Sequence, residues 1–238
     1  MKRTLCAILA ASFLLGAPRP GAAEGVRWCA PVAPDLAAAG WETLTFDGKR
    51  PNRFAGTPEG TLEVAGDGTV SFLFAPVPAD AGANAQVLRW SWRAEAAAPP
   101  TDLAAKGGDD RTLALYVAFA WDPGAATFGE MLRRPLVEML QGPDAPGRIL
   151  AYTWGGTQPR GARFESPYAA GSSEVVVLRT ASAETGRWHS EEVAPQADYV
   201  RAFGGSAPPV TQIAVVSDSD DTGSEVRAAV KDVCLGPG

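Results

Sequence analysis

The stretch "VVSDSDDTGSEVRAAVKDV", residues 215–233, sets Asp218, Asp220 and Asp221 in one turn between two apolar runs. Carboxylates at that density can hold a hard cation, contact a ligand, or cap backbone N–H groups in Asx-turns. An EF-hand is excluded. Asp218, Asp220, Thr222 and Gly223 fall on its first, third, fifth and sixth loop places, but the twelfth is Ala229, which has no carboxylate. A looser calcium site and a turn braced by its own side chains both stay open.

Asp109 and Asp110 form a second carboxylate pair, after "KGG". Neighbouring side chains on a strand point to opposite faces, so the two reach one ligand only if the turn rotates them. Acid/base cleavage of a glycosidic bond needs two carboxyl groups about 5–9.5 Å apart. The alternative is turn building, with charge pairing to Lys106 or Arg111. His189, the single histidine, lies in the strand-like "RWHSEEV" and is expected to be exposed. Any Ser-His-Asp or Cys-His set would depend on it, and a His-based zinc site lacks its usual partners.

Seven tryptophans are present. Trp90, Trp92 and Trp121 alternate with small or polar residues and read as core. Trp154 in "YTWGGTQPRG" and Tyr168 in "ESPY" stand at strand ends beside loops, where flat rings could serve as a platform for a sugar. Arg89 and Arg93, two apart on one strand face, either grip an acidic sugar or belong to a salt-bridged surface.

These residues must be carried by strands. "LRWSWRAE" puts Leu88, Trp90, Trp92 and Ala94 on one face against Arg89, Ser91, Arg93 and Glu95, while "RTLALYVAFAW" is apolar on both faces apart from Tyr116 and reads as a central strand. "WETLTF", "TLEVA", "TVSFLFA", "RILAYTW", "SEVVVLRT", "RWHSEEV", "QIAVVSD" and "VRAAVKDVCL" are further strands, divided by Gly, Pro, Asn and Asp. About ten strands with few helices predict an all-β fold, a jelly-roll-like β-sandwich with one or two short surface helices. "TFGEMLRRPLVEMLQG" supplies a helix with an apolar stripe meant for the sandwich, kinked or split at Pro135; "PQADYVRAFGG" supplies a shorter one.

Lys2 and Arg3 precede the apolar run "LCAILAASFLLGA", which ends in small residues near Ala23, the layout of a secretory signal peptide over residues 1–23. Residues 24–238 are then one exported sandwich domain, periplasmic or secreted, with no transmembrane segment. Cleavage takes away three cations and no acid, so the formal charge moves from -6 to -9. Phosphate backbones and anionic membrane surfaces are poor partners for such a chain. Cys29 and Cys234 remain near the two ends, and in an oxidising compartment they are expected to form a disulfide.

The order "LRWSWRAE", "KGGDDRTLALYVAF", "LAYTWGG", "ESPY", "GRWHSEEVAPQADYVRAFGG" and "IAVVSDSDDTGSEVRAAVKDV" resembles a bacterial secreted family catalogued as domain of unknown function three-zero-four-seven, over about Gly40 to Val233. The resemblance implies an exported β-rich domain and brings no activity. It places the family pattern on Gly108, Asp109, Asp110, Tyr152, Trp154, Pro167, Tyr168, Asp198, Tyr199, Phe203, Gly204, Asp218, Asp220, Thr222, Gly223 and Asp232. The chain departs from it at Ala114, where an Arg is common, and at Ala229 and Val230, where tyrosines are common. The architecture is also similar to jelly-roll carbohydrate-binding modules, and that likeness implies a structural calcium where the first and last strands meet, with Asp232 as a ligand.

The reading that results is a non-catalytic module that binds a glycan or another envelope component through Asp109, Asp110, Trp154, Tyr168, Asp218 and Asp220. A polysaccharide hydrolase or lyase using these carboxylates, and an envelope scaffold that binds protein, are the alternatives.

Overall fold

The computed structural model describes residues 27–141 and 145–238. The expected signal peptide, with Cys6, lies outside them. In chain order the elements are β1 (Trp28–Cys29), β2 (Glu42–Leu44), β3 (Arg53–Gly56), β4 (Thr61–Asp67), β5 (Val70–Pro76), α1 (Ala79–Ala83), β6 (Val87–Ala96), β7 (Arg111–Phe119), α2 (Phe128–Gln141), β8 (Ile149–Gly155), β9 (Arg163–Glu165), β10 (Ser173–Arg179), β11 (His189–Val193), α3 (Pro195–Phe203), β12 (Val210–Asp218) and β13 (Glu225–Gly236). Two sheets result. One runs β11-β6-β13-β4-β3 with β1 added on β13; the other runs β2-β5-β12-β7-β8-β10-β9. From β4 to β7, and again from β11 to β13, successive strands alternate between the sheets, which gives the expected jelly-roll-like sandwich.

The core follows from the period of two. Leu88, Trp90, Trp92 and Ala94 of β6 all point inward, and across from them lie Leu113, Leu115, Val117 and Phe119 of β7 with Leu150, Tyr152 and Trp154 of β8. The large rings meet edge to face, Trp90 against Trp92 at 5.2 Å and Trp92 against Trp154 at 5.7 Å. Each ring buried in this way contributes about 1.5–3 kcal/mol of transfer free energy. β7, apolar on both faces, is fourth of the seven strands in its sheet, as a central strand should be.

Ion pairs tie the outer elements to this core. Glu191 of β11 is buried, forms an ion pair with Arg179 of β10 at 2.5 Å, and accepts hydrogen bonds from Arg160 at 3.1 Å and the indole N–H of Trp92 at 3.2 Å, so it bridges the two sheets. Asp198 of α3 accepts from the Tyr152 hydroxyl at 2.8 Å and from Arg163 of β9 at 2.5 Å. α2 is held by Glu130, which takes two hydrogen bonds from Arg148, at 2.9 and 3.1 Å; these bonds hold its carboxyl down at about 2.

Several expectations are corrected. α2 runs through Pro135 without splitting, and Phe128, Met131 and Leu132 face solvent instead of the sandwich. There are three helices among the described residues, α1 being the addition. His189 is buried, not exposed: Nε2 is 2.8 Å from the Glu184 carbonyl and the ring lies edge-on to Trp154 at 5.2 Å.

Cys29 and Cys234 are register partners across β1 and β13 and are joined by a disulfide that closes a separation of 205 residues. Closing so long a loop restricts the unfolded chain most strongly. Replacing both cysteines by Ala is expected to cost about 2–5 kcal/mol and to lower Tm by on the order of 10 °C. A double variant that melts with the wild type in calorimetry would show that the bridge adds nothing.

Candidate functional site

The site begins with a step in register. Against β12, Asp218 pairs with Arg111 while Val216 pairs with Ala114; against β8, Arg111 pairs with Gly155 while Leu113 pairs with Trp154. β7 therefore carries one extra residue at its start, a β-bulge. Strict alternation would aim Arg111 into the core beside Leu113. The bulge turns it onto the outer face with Ala114 and Tyr116, next to Asp218.

There Arg111, its side chain 7% exposed, donates through Nη2 to Asp109 Oδ2 at 2.9 Å and to Asp218 Oδ2 at 3.0 Å. Asp220 pairs with Lys49. Burial pushes the Asp218 carboxyl up to about 7 against the pull of Arg111, and its hydrogen bond to Asp220 and the charge of Asp109 act the same way. Burial also acts on Asp220, but the bond from Asp218 and the Lys49 ammonium outweigh it and hold that carboxyl below its ordinary range. One proton shared between the pair, resident on Asp218, accounts for both directions.

Asp110 lies behind Asp218 and Asp220, close to both but off the groove wall. It is fully buried and accepts from Thr222 N at 2.8 Å, Thr222 Oγ1 at 2.6 Å and Asp221 N at 3.3 Å, so it braces the turn between β12 and β13. Gly223 completes that turn with a φ of 64°, in the left-handed region. In the preceding loop, a Cβ at Gly108 would stand 2.6 Å from the Asp102 carbonyl oxygen, so the close turn that delivers Asp109 and Asp110 requires glycine.

A groove leads away from the acidic end along the outer face of the seven-stranded sheet. Phe46, Phe72 and Tyr116 form an edge-to-face row at 5.3 and 5.1 Å, and Ala114, Ala214 and Val216 pave the floor beside them. Two hollows of about 430 and 200 Å³ share Phe72, Tyr116 and Ile149 as walls; Phe74 and Gln212 line the smaller one. Tyr168 stands on the rim, 59% exposed, its hydroxyl accepting from Gly107 N at 3.0 Å.

Of the residues expected from sequence, Asp109, Asp218, Asp220 and Tyr168 thus meet at one groove. Trp154 does not. It is fully buried because it shares the inward face of β8 with Leu150 and Tyr152, and it cannot be a platform. Asp232 is also apart: its side chain is 73% exposed in a left-handed bend (φ 56°) of β13, with Lys231 its one ion-pair partner among the described residues, at 3.9 Å. The three-carboxylate cluster among the described residues is Asp110, Asp218 and Asp220. Arg89 and Arg93 pair with Glu192 and Glu95, as a salt-bridged face requires. Arg111, Lys49, Phe46, Phe72 and Tyr116 were not singled out as site residues. The alternation of Phe72 and Phe74 with Leu73 and Ala75 in "TVSFLFA" was the available signal, since only one of those faces can enter the core.

A family model described as "Protein of unknown function (DUF3047)" matches residues 39–234. The chain belongs to this family. No curated protein matches it. Among solved structures, this DUF3047 chain is similar to a family 11 carbohydrate-binding module from Clostridium thermocellum in complex with a β-1,3-1,4-mixed-linked tetrasaccharide, with 9% identity, 89% of this chain and 96% of the other covered, and a TM-score of 0.44. It is similar as well to the xyloglucanase domain of NopAA from Sinorhizobium fredii in complex with cellobiose, at 9% identity, 81% and 95% coverage and a TM-score of 0.40. A family 12 xyloglucanase from Bacillus licheniformis aligns at 8% identity, 88% and 98% coverage and a TM-score of 0.35. The DUF3047 departure at Ala114 falls on the groove floor, while Ala229 and Val230 lie on β13 in the other sheet.

The raised carboxyl of Asp218 sets a sign. Between about pH 4 and 7 the folded protein holds a proton that the unfolded chain releases, so this group's contribution to stability falls as pH rises through that window and levels off above it. Asp218→Asn removes the titration. With chelator present, its stability relative to wild type should climb by up to about 1.4 kcal/mol per pH unit across the window. A difference independent of pH, measured by denaturant unfolding, would mean that Asp218 stays ionised throughout.

Proposed function

We propose that this DUF3047 protein is a non-catalytic, exported module that binds an uncharged glycan along the outer groove of its seven-stranded sheet. What carries the reading is the groove itself: an elongated apolar floor with the aromatic row Phe46, Phe72 and Tyr116, a ring on the rim in Tyr168, and polar groups concentrated at one end. Sugars present apolar C–H faces to rings and hydroxyls to carboxylates and amides, and this surface offers both. Its charge argues for a neutral ligand. Arg111 and Lys49 are already engaged by aspartates, and Lys106 stands apart on the rim over the Tyr168 ring at 5.8 Å, so a uronate or phosphate at the acidic end would meet more carboxylates than cations.

The carboxylate geometry supports binding over hydrolysis. Oxygens of Asp110, Asp218 and Asp220 crowd within 4.8 Å of one another, and the Arg111 guanidinium stands between Asp109 and Asp218. A glycosidic oxygen needs an open gap of about 5–9.5 Å between acid and base or nucleophile, and here that space is either closed up or filled by the guanidinium. The disulfide supports an oxidising compartment, periplasmic or extracellular, consistent with the signal peptide read over residues 1–23 and with residues 24–238 acting as one domain. A second reading, a protein-binding scaffold, is favoured by the exposed Phe128, Met131 and Leu132 on α2.

Affinity electrophoresis and calorimetry against a panel of neutral and acidic polysaccharides separate these readings. A neutral glycan should be retained, Tyr116→Ala and Tyr168→Ala should each weaken it about 5- to 50-fold, and no reducing ends should be released. Retention unchanged in both variants, or none on the whole panel, would sink the glycan reading and leave the scaffold.

A further inference from the structure

We infer that Asp110, Asp218 and Asp220 form a binding site for a divalent, oxygen-seeking cation, calcium in the first place, at the acidic end of the groove. Oxygens of the three carboxylates lie within 4.8 Å of one another, and two of the three residues are buried. They come from separate places in the chain, the start of β7 and the turn after β12, and the brace from Asp110 to Asp221 and Thr222 fixes that meeting.

A second observation points at a ligand. The Asp218 side chain is 8% exposed, and while Oδ2 receives Arg111, Oδ1 is buried and accepts no hydrogen bond from an N–H or hydroxyl donor among the described residues. Once Asp218 has lost its proton, that oxygen carries charge with no donor to offset it, which is costly in such surroundings. The neighbouring cations do not supply one: Arg111 is committed to Asp109 and to the other oxygen of Asp218, and Lys49 to Asp220. With Asp109 and Asp221 included, five carboxylates face these two cations, and the excess is negative.

The donor set decides the class of ion. All three groups are carboxylates and no histidine or thiolate joins them, which selects a hard cation over zinc or copper. Calcium accepts six to eight oxygens in an adaptable shell, so three carboxylates, of which Asp218 and Asp220 border the groove, leave places for water from that side. Lys49, with a side chain 46% exposed, can swing clear when the ion enters. The inference does not rest on the glycan reading.

The test uses the disulfide-intact mature chain, stripped with chelator, at about pH 8, titrated with calcium chloride, magnesium chloride or potassium chloride at matched ionic strength. Calcium should bind in calorimetry and raise Tm by about 5–10 °C at a hundredfold excess over Kd, and potassium should not. Asp220→Asn and Asp218→Asn should each weaken binding at least about tenfold, while Asp232→Asn should bind as wild type does. No shift up to about 10 mM calcium, or a shift that Asp220→Asn retains in full, overturns the site. Equal saturation by magnesium overturns the assignment to calcium.

Discussion

Arg111 brings a full positive charge to a place where its side chain is 7% exposed, and it can stay there only because two carboxylates on separate segments come to meet it. Removing one partner of such a cluster commonly costs about 3–5 kcal/mol, since the remaining charge is stranded away from water. The requirement fixes more than a side chain. It holds the end of the loop before β7, which bears Asp109, against the end of β12, which bears Asp218, and the bulge at the start of β7 is what makes the meeting geometrically feasible. Asp110 then pins the following turn. The acidic end of the groove is built around one guanidinium.

The groove itself comes from an unusual allotment of apolar residues. A sheet in a two-layer sandwich needs one apolar face for the core, and the seven-stranded sheet has most of a second one, with Phe72, Phe74, Tyr116, Ala214 and Val216 turned outward. The six-stranded sheet behaves differently, its outer face bearing Arg53, Glu63, Arg93, Glu95 and Arg227. Rings on one sheet and charges on the other give the molecule an apolar side and a charged side.

Much of the fold was legible from period and punctuation alone. All ten strands expected from alternation are present, and "LRWSWRAE" and "RTLALYVAFAW" took the half-buried and central places that their patterns require. The missed strands, β1, β3 and β9, are two to four residues long and owe their extended form to a neighbour's backbone groups, so no local pattern marks them. Trp154 was misplaced because the glycines after it suggest a rim, whereas the parity it shares with Leu150 and Tyr152 sends it inward. Arg111 could not be assigned to the site from local pattern, because a bulge is a relation between strands. The stripe on α2 was visible, but its burial depended on what the sandwich left uncovered.

The bond between Cys29 and Cys234 also has a mechanical meaning. The 205-residue separation is closed into a covalent ring, so a pull applied to the segments outside the two cysteines strips at most the strand ends at Trp28, Leu235 and Gly236 before the sulfur–sulfur bond carries it. Strands that would otherwise be peeled off one at a time bear no load, and the groove keeps its shape under tension. In an oxidising compartment the sandwich is therefore a force-bypassed unit, and it becomes extensible only when that one bond is reduced.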